Sequence, residues 1–331
     1  MSEQAIPVII DTDPGIDDAV ALALAVRSPE LHILGVTITF GNTTRDNAFR
    51  NARYVLDRFG GTGVPVFPGA KRPLVRPLVT APETHGEGGL GYLPPPEGTV
   101  EGEFAPLAIL RMLRSARTPV TIIAIGPLTN LALALAQGEE VMREKVAEIV
   151  LMGGSAGAPG NTTPVSEFNF WADPEAARAV LQSGIPIRMV GLDVTRRMVF
   201  PSDLVERLRG SGQPDARFLG ELLRFYVDFH REYEGLDGCI VNDPLAVALV
   251  IDERFGQARP MYVEVSCADD LTRGQSICDR YGFLHREPNA RVYLWCDPVA
   301  TIEFVLERVV GESVMDAETM ARSLASLGIV S

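Results

Sequence analysis

The sequence predicts an α/β protein: a single large domain over residues 1–331 with a mostly parallel central sheet flanked by helices. Three observations predict it. Short apolar runs alternate with segments of helical periodicity along most of the chain. No internal repeat, low-complexity tract or interdomain linker interrupts that alternation. The composition, 46% hydrophobic and 22% charged, supplies ample apolar side chain for a sizeable core. In such folds ligands bind beyond the carboxyl ends of the strands. Each polar motif below falls just after a predicted strand or in a loop.

The first strand is expected over 6–11, and its apolar run ends in Asp11-Thr12-Asp13-Pro14-Gly15-Ile16-Asp17-Asp18. The first helix follows over 17–27. A second strand over 31–39 ends in Thr39-Phe40-Gly41-Asn42-Thr43 and leads to a helix over 43–59. A strand over 64–67 precedes a Pro- and Gly-rich loop, 68–100, that contains Thr84-His85-Gly86-Glu87. A helix over 103–115 and a strand over 119–125 come next, the strand closing in Gly126-Pro127-Leu128-Thr129-Asn130. A helix over 128–137 is followed by a strand over 146–152 that ends at Met152-Gly153-Gly154. The loop 153–170 carries Asn161, Glu167 and Asn169 among Phe168, Phe170 and Trp171. Helices over 174–183, 215–234, 243–251 and 298–309 and strands over 186–192, 259–265 and 291–295 complete the pattern. The 68–100 and 153–170 loops exceed the usual connection length, which favours binding loops or lids.

The net charge of −13 argues against nucleic acid and against anionic membrane as partners. No run of about 18 apolar residues is present, so no membrane span is expected. The N-terminus has neither a basic start nor a long apolar stretch, so no signal peptide is expected. Cys239, Cys267, Cys278 and Cys296 form no C-x-x-C pair and suggest neither a zinc site nor a disulfide framework. Free thiols in a reducing cytoplasm are the simplest reading.

The four carboxylates of Asp11, Asp13, Asp17 and Asp18 lie within eight residues. Like charges so close repel, and each raises the pKa of its neighbours. Pro14-Gly15 makes a tight turn that lets them converge, and a cation among them relieves the repulsion. Oxygen ligands alone suit calcium or magnesium better than zinc. A helix cap at Asp17 or Asp18 explains one or two of the acids but not four. D-x-D after a strand also occurs in phosphatases with an aspartyl nucleophile, but those want a small β-branched residue where Pro14-Gly15 stands.

The other motifs are individually open. Asn42 is placed to orient a water or a hydroxyl, or to form a turn and cap. The backbone carbonyl of Ile125 is free to bind a cation, or simply belongs to a strand-to-helix turn. Asn161, Glu167 and Asn169 read as a sugar-binding loop or as a surface loop with aromatic anchors, and Trp171 reads as core. Asp243 precedes Pro244 as Asp173 precedes Pro174 and Asp297 precedes Pro298, a pattern that fits ordinary helix caps.

Taken in order, the D-T-D-P-G-x-D-D turn, Gly41-Asn42, His85-Gly86-Glu87, Gly126 to Asn130, Met152-Gly153-Gly154, Asn161 to Asn169 and Asn242-Asp243-Pro244 resemble the inosine-uridine-preferring nucleoside hydrolases. The resemblance covers nearly the whole chain. It implies the nucleoside hydrolase fold and hydrolysis of the N-glycosidic bond of ribonucleosides to free base and ribose. It implies a bound calcium ion held by Asp13, Asp18, Asp243 and the carbonyl of Ile125. Asp13 would be the general base on a calcium-bound water, with Asp11 supporting the cluster from behind. Asp17, Asn42, Met152, Asn161, Glu167 and Asn169 would hold the ribose. The expected partner is a small ribonucleoside, which carries no phosphate. A homodimer or homotetramer is implied, as is a role in nucleoside catabolism.

The chain departs from the family at Asn242, where the well-studied members have the histidine that protonates the leaving base. Asparagine donates a hydrogen bond but delivers no proton near neutral pH. His85 and His230 are the candidates for the base side, and Tyr226 shares a helical face with His230 at i and i+4. His32 and His285 carry no motif. The alternative reading is a nucleoside- or ribose-binding protein with lost or very weak turnover. Asn242 favours that alternative, and the full set of acids and asparagines favours the enzyme.

Overall fold

In the computed structural model, residues 5–311 and 314–330 are described. The strands are β1 (Ile6–Thr12), β2 (Leu31–Ile38), β3 (Val66–Pro68), β4 (Val120–Ala124), β5 (Val146–Met152), β6 (Ile187–Val190), β7 (Val199–Pro201), β8 (Gly238–Ile240), β9 (Gly256–Val265), β10 (Ser276–Asp279) and β11 (Ala290–Cys296). The helices are α1 (Ile16–Val26), α2 (Arg45–Phe59), α3 (Pro82–His85), α4 (Ala105–Ser115), α5 (Thr129–Lys145), α6 (Phe168–Ala172), α7 (Pro174–Leu181), α8 (Leu192–Thr195), α9 (Ser202–Gly210), α10 (Pro214–Glu234), α11 (Pro244–Ile251), α12 (Pro298–Val310) and α13 (Ala317–Ser326).

Nine strands form one sheet in the order β10-β9-β11-β6-β5-β4-β1-β2-β3. From β11 to β3 every neighbouring pair is parallel, and β9 and β10 close one edge antiparallel. The expected mostly parallel sheet flanked by helices is therefore the observed one. Central strands are covered on both faces, so they read as continuous apolar runs rather than as alternation. Val8, Ile9 and Ile10 of β1 and Val120, Ile122 and Ile123 of β4 are fully buried. Two apolar clusters cover the two faces: Val8 and Ile10 of β1 belong to one, and Ile9 to the other.

Helix α1 is buried over nearly its whole length, which explains its run of Ala, Val and Leu. Helix α2 begins where Thr44 Oγ1 accepts the Asn47 N–H at 3.3 Å and ends at Gly60 with a left-handed φ of 97°.

Several boundaries differ from expectation. The helix expected over 128–137 continues to Lys145 as α5, with a break in helical geometry at Gly138. The 186–192 strand is shorter, because residues 192–195 turn into α8. The 259–265 strand begins earlier, at Gly256. The 68–100 loop contains α3, and the 153–170 loop runs into α6. Sequence periodicity did not reveal β7, β8, β10, α9 or α13. Strands β7 and β8 are three residues each and pair only with each other, too short to display a period. The four cysteines are free thiols, two of them buried. No helix among the described residues is long and apolar enough to cross a membrane.

Candidate active site

The parallel pairing of β2, β1, β4 and β5 puts the ends of these strands side by side, and the polar motifs that follow them meet there. Asp11 sits at the end of β1, in register with Thr37 of β2 and Ala124 of β4. Its Oδ1 accepts from Thr37 Oγ1 at 2.5 Å and from Asn130 Nδ2 at 2.8 Å. Asp11 thus ties the second strand and the start of α5 to the first strand. It does not line the pocket described below.

Asp18, in the first turn of α1, accepts four donors. These are Thr12 Oγ1 at 2.5 Å, the backbone N–H of Asp13 at 3.3 Å and of Gly15 at 3.0 Å, and Asn42 Nδ2 at 2.7 Å. The Gly15 contact is a helix-capping bond, so the capping reading holds for Asp18 in addition to its place in the acid cluster. Asp13 Oδ2 accepts the Asn42 N–H at 2.6 Å, while its Oδ1 is buried with no hydrogen-bond partner.

Carboxylate oxygens of Asp17, Asp18 and Asp243 lie within 4.8 Å of one another, all three residues buried. This triad includes Asp17, which the family resemblance implies for sugar, and omits Asp13, which it implies for metal. Burial, and then the charge of neighbouring aspartates, pushes Asp243 well above the usual carboxylate range. Burial and the Asp18 charge do the same for Asp13. Burial first and Asp17 second raise Asp18 to about 6. The charges acting most strongly on these three acids are those of other aspartates. An orphaned Asp13 oxygen beside gathered acid oxygens fits a hard divalent cation.

Above the acids lies a cavity of about 580 Å³, the size of a small-molecule site. Asp17, Asn42, Asp243 and the Ile125 and Met152 segments form its acid-rich end. Asn169 Nδ2 donates to the carbonyls of Ile125 at 3.3 Å and Met152 at 3.1 Å, joining the ends of β4 and β5. Glu167 caps α6: Oε1 accepts from the N–H of Asn169 at 2.8 Å, and Oε2 from Gly154 at 2.9 Å and Phe170 at 3.2 Å. Burial nevertheless pushes its pKa up to about 7. Asn161 Oδ1 accepts the Phe168 N–H at 2.9 Å, and the residue lines the cavity.

The opposite wall comes from α3, α10 and the start of α11. His85 Nδ1 accepts the Ile16 N–H at 3.2 Å, so the neutral ring carries its hydrogen on Nε2. Both ring nitrogens lie 3.3 Å from Tyr226 Oη, which in turn donates to Asp17 Oδ1 at 2.9 Å. Burial lowers the His85 pKa to about 4. Asn242 Nδ2 donates to Asp17 Oδ2 at 3.2 Å. A contiguous polar contact network therefore runs from α1 through His85, Tyr226 and Asp17 to Asn242. His230 completes this wall.

The structure brings together every candidate residue, with Asp11, Asp13 and Asp18 beneath the pocket rather than in its lining. Trp171 departs from the expectation of core: it is half-buried and lines the cavity, with the Arg273 guanidinium 4.2 Å from its ring centroid. Arg196, Phe229, Tyr233 and Glu234 also line the cavity and were missed. Glu234 repeats the spacing of Tyr226 and His230 on α10, a signal that the sequence did offer.

A pocket at the carboxyl ends of a parallel sheet, floored by buried acids suited to a cation, defines the class: an α/β protein built to act on a small polar molecule. The sequence profile described as inosine-uridine preferring nucleoside hydrolase matches residues 8–303, and the chain belongs to that family. It is an enzyme of that family, a nucleoside hydrolase. A relative from Enterobacter sp. (strain 638), named pyrimidine-specific ribonucleoside hydrolase RihA, is 41% identical over 92% of this chain and 98% of its own. A relative of the same name from Shewanella oneidensis is 41% identical over 86% of this chain and 90% of its own. Among solved structures, a plant nucleoside hydrolase superposes with a TM-score of 0.88 at 30% identity, covering 93% of this chain and 100% of that one. A purine-preferring ribonucleoside hydrolase from Gardnerella vaginalis gives a TM-score of 0.85 at 29% identity, covering 92% and 98%.

Proposed function

We propose that this chain hydrolyses the N-glycosidic bond of pyrimidine ribonucleosides, releasing the base and ribose, with calcium as its resident ion. The observation that carries the reading is the acid cluster buried beneath a pocket whose near end is lined by Asp17, Asn42, Glu167, Asn169 and Asp243. The pyrimidine preference is supported by the names of the relatives at about 40% identity.

Asp13, Asp18, Asp243 and the Ile125 carbonyl, with Asp17 beside them, would hold the calcium ion. When bound, calcium supplies Lewis-acid polarisation of water and of the sugar hydroxyls. Asp13 accepts the proton of the attacking water through its unpartnered Oδ1. As the C–N bond breaks, positive charge grows on the sugar, and the surrounding carboxylates stabilise it. Asn161, Glu167 and Asn169 orient hydroxyls, with Met152 against the sugar face. Asn242 fixes Asp17 and donates no proton. The His85–Tyr226–Asp17 chain shapes the side from which the base departs.

The test compares uridine with 2′-deoxyuridine. A ribose held through both ring hydroxyls predicts a kcat/KM for the deoxynucleoside at least about 100-fold lower, since sites built around a substrate hydroxyl reject the analogue lacking it by up to about 10⁴–10⁵. Equal values would overturn the ribose assignment.

The 1–331 chain is proposed as one catalytic domain, working in the cytoplasm. A homodimer or homotetramer is proposed as well. Leu271, Tyr281 and Phe283, each more than three-quarters exposed near the sheet edge at β10, support such a contact. Sedimentation analysis of the purified chain checks it, and a monomer at every concentration would refute it.

A further inference from the structure

We propose that Arg273 is a positioning residue: from outside the cavity it brackets the segment 166–171 and so keeps Glu167 and Asn169 aimed at the sugar. This rests on the ribonucleoside hydrolase reading above. The segment needs such a hold. Helix α6 is five residues long, too short to be stable through its own hydrogen bonds. The last carbonyls of a helix have no partner inside it. One of them, the carbonyl of Trp171, accepts the Arg273 Nε–H at 3.0 Å. At the other end, the buried Ser166 donates its Oγ–H to the carbonyl of Arg273 at 2.6 Å. A single residue therefore ties down both ends of the segment that carries Glu167 and Asn169.

The Arg273 guanidinium also covers the Trp171 ring, 4.2 Å from its centroid. Trp171 lines the cavity and Arg273 does not, so the indole stands between the cation and the substrate space. Ion pairing does not explain the placement. The acids at hand, Glu175 and Asp269, pair with Arg76 at 2.8 and 3.0 Å. Arg273 Nη2 is buried and donates to nothing. Burial, and then the charge of Arg76, lower the Arg273 pKa from its ordinary value. The contacts with Trp171 and Ser166 are what fix this side chain and its backbone.

The turn that presents Arg273, residues 266–275 between β9 and β10, is braced from within. The Gly274 N–H donates to the Ser266 carbonyl at 2.8 Å, and the Ser266 N–H to the Gln275 carbonyl at 2.9 Å. Asp270 Oδ1 accepts the Thr272 N–H at 2.7 Å. Gly274 has a left-handed φ of 74°, and a Cβ there would stand 2.4 Å from Trp171 Cα. The turn thus meets the segment backbone to backbone, an approach that glycine alone permits.

The experiment measures kcat/KM of the calcium-loaded enzyme for uridine and its 2′-, 3′- and 5′-deoxy analogues in the native protein, Arg273→Ala and Gly274→Ala. The ratio of uridine to an analogue within one protein cancels any loss of folded fraction. A loosened segment weakens bonds that uridine makes and the analogue lacks. The ratio for the hydroxyl the segment holds should therefore fall about fivefold in both variants, the scale of one hydrogen bond. A merely structural role lowers all four substrates alike. Unchanged ratios in Arg273→Ala overturn the inference, and if that variant does not fold, Gly274→Ala decides in the same way. In a Trp295→Phe background Trp171 is the one remaining tryptophan. There Arg273→Ala should increase acrylamide quenching of the indole emission, and unchanged quenching also overturns the inference. A native enzyme that hydrolyses inosine but neither uridine nor cytidine would overturn the pyrimidine reading, and the deoxy analogues of inosine would then test Arg273 by the same ratios.

Discussion

Asp173, Asp243 and Asp297 each precede a proline at the start of a helix, and their side-chain partners separate them. Asp173 accepts the Ala176 N–H and Asp297 the Ala300 N–H, both at 3.1 Å, as ordinary caps do. Asp243 makes no capping bond at α11, and its carboxylate joins Asp17 and Asp18 instead. Asp13 is distinguished by an oxygen with nothing to accept. If that oxygen takes the water's proton, Asp13→Asn should lower kcat by at least about 100-fold, the usual scale of general-base help. Steady-state hydrolysis of uridine measures it, and near-native turnover would remove Asp13 from that role. Glu167 yields a prediction about stability. Its pKa rises from 4.5 to about 7 on folding, mainly through burial. The folded state therefore holds this proton more tightly than the unfolded chain. The contribution is fully present below the unfolded value and is lost as pH rises through about 7. At fixed calcium, the Tm of Glu167→Gln relative to native should rise between about pH 5 and pH 8. A pH-independent difference would show that Glu167 does not carry the shift.

At the scale of elements, the turn between β1 and α1 is constrained from outside itself. A Cβ on Gly15 would collide with His85 Nδ1 and approach Asn42 Nδ2 to 2.8 Å. The glycine is required by close approach, since α3 docks its histidine directly over the start of α1. Gly15→Ala should cost about 1–3 kcal/mol, the range for overpacking a tight site. It should also lower kcat/KM for uridine by about tenfold or more, because it displaces both His85 and Asn42. Thermal denaturation and uridine hydrolysis measure the two effects, and a variant matching native in both would contradict this packing. The βα alternation was readable because each strand and helix is long enough to show its own period. The β7–β8 pair was not, and neither was α3, four residues inside a glycine-rich loop. The cavity-facing stripe of α10 was half-readable: Tyr226 and His230 were recognised by spacing, whereas Arg196 comes from a distant segment with no motif.

For the whole molecule, the buried acids make stability depend on the ion. A ligand present at roughly 1,000 times its Kd adds about 4 kcal/mol to the folded state. Chelation by EGTA should therefore lower Tm by several degrees, and calcium should restore it beyond what magnesium does. An unchanged Tm would argue against a tightly held ion. The net charge of −13 works in the same direction, since removing a cation leaves the acids to repel one another.

The sequence by itself determined the order of strands and helices, the parallel character of the sheet, and the meeting of several acids at one turn. These follow from hydrophobic periodicity and turn chemistry, which act over a few residues. Only the tertiary structure decided which Asp-Pro serves the site, that Asp17 stands with Asp18 and Asp243, and that His85 Nδ1 accepts the Ile16 N–H. Those outcomes depend on contacts across 69 residues for Ile16 with His85 and 209 for Asp17 with Tyr226. Sheet order and helix docking create such contacts, and no local pattern encodes them.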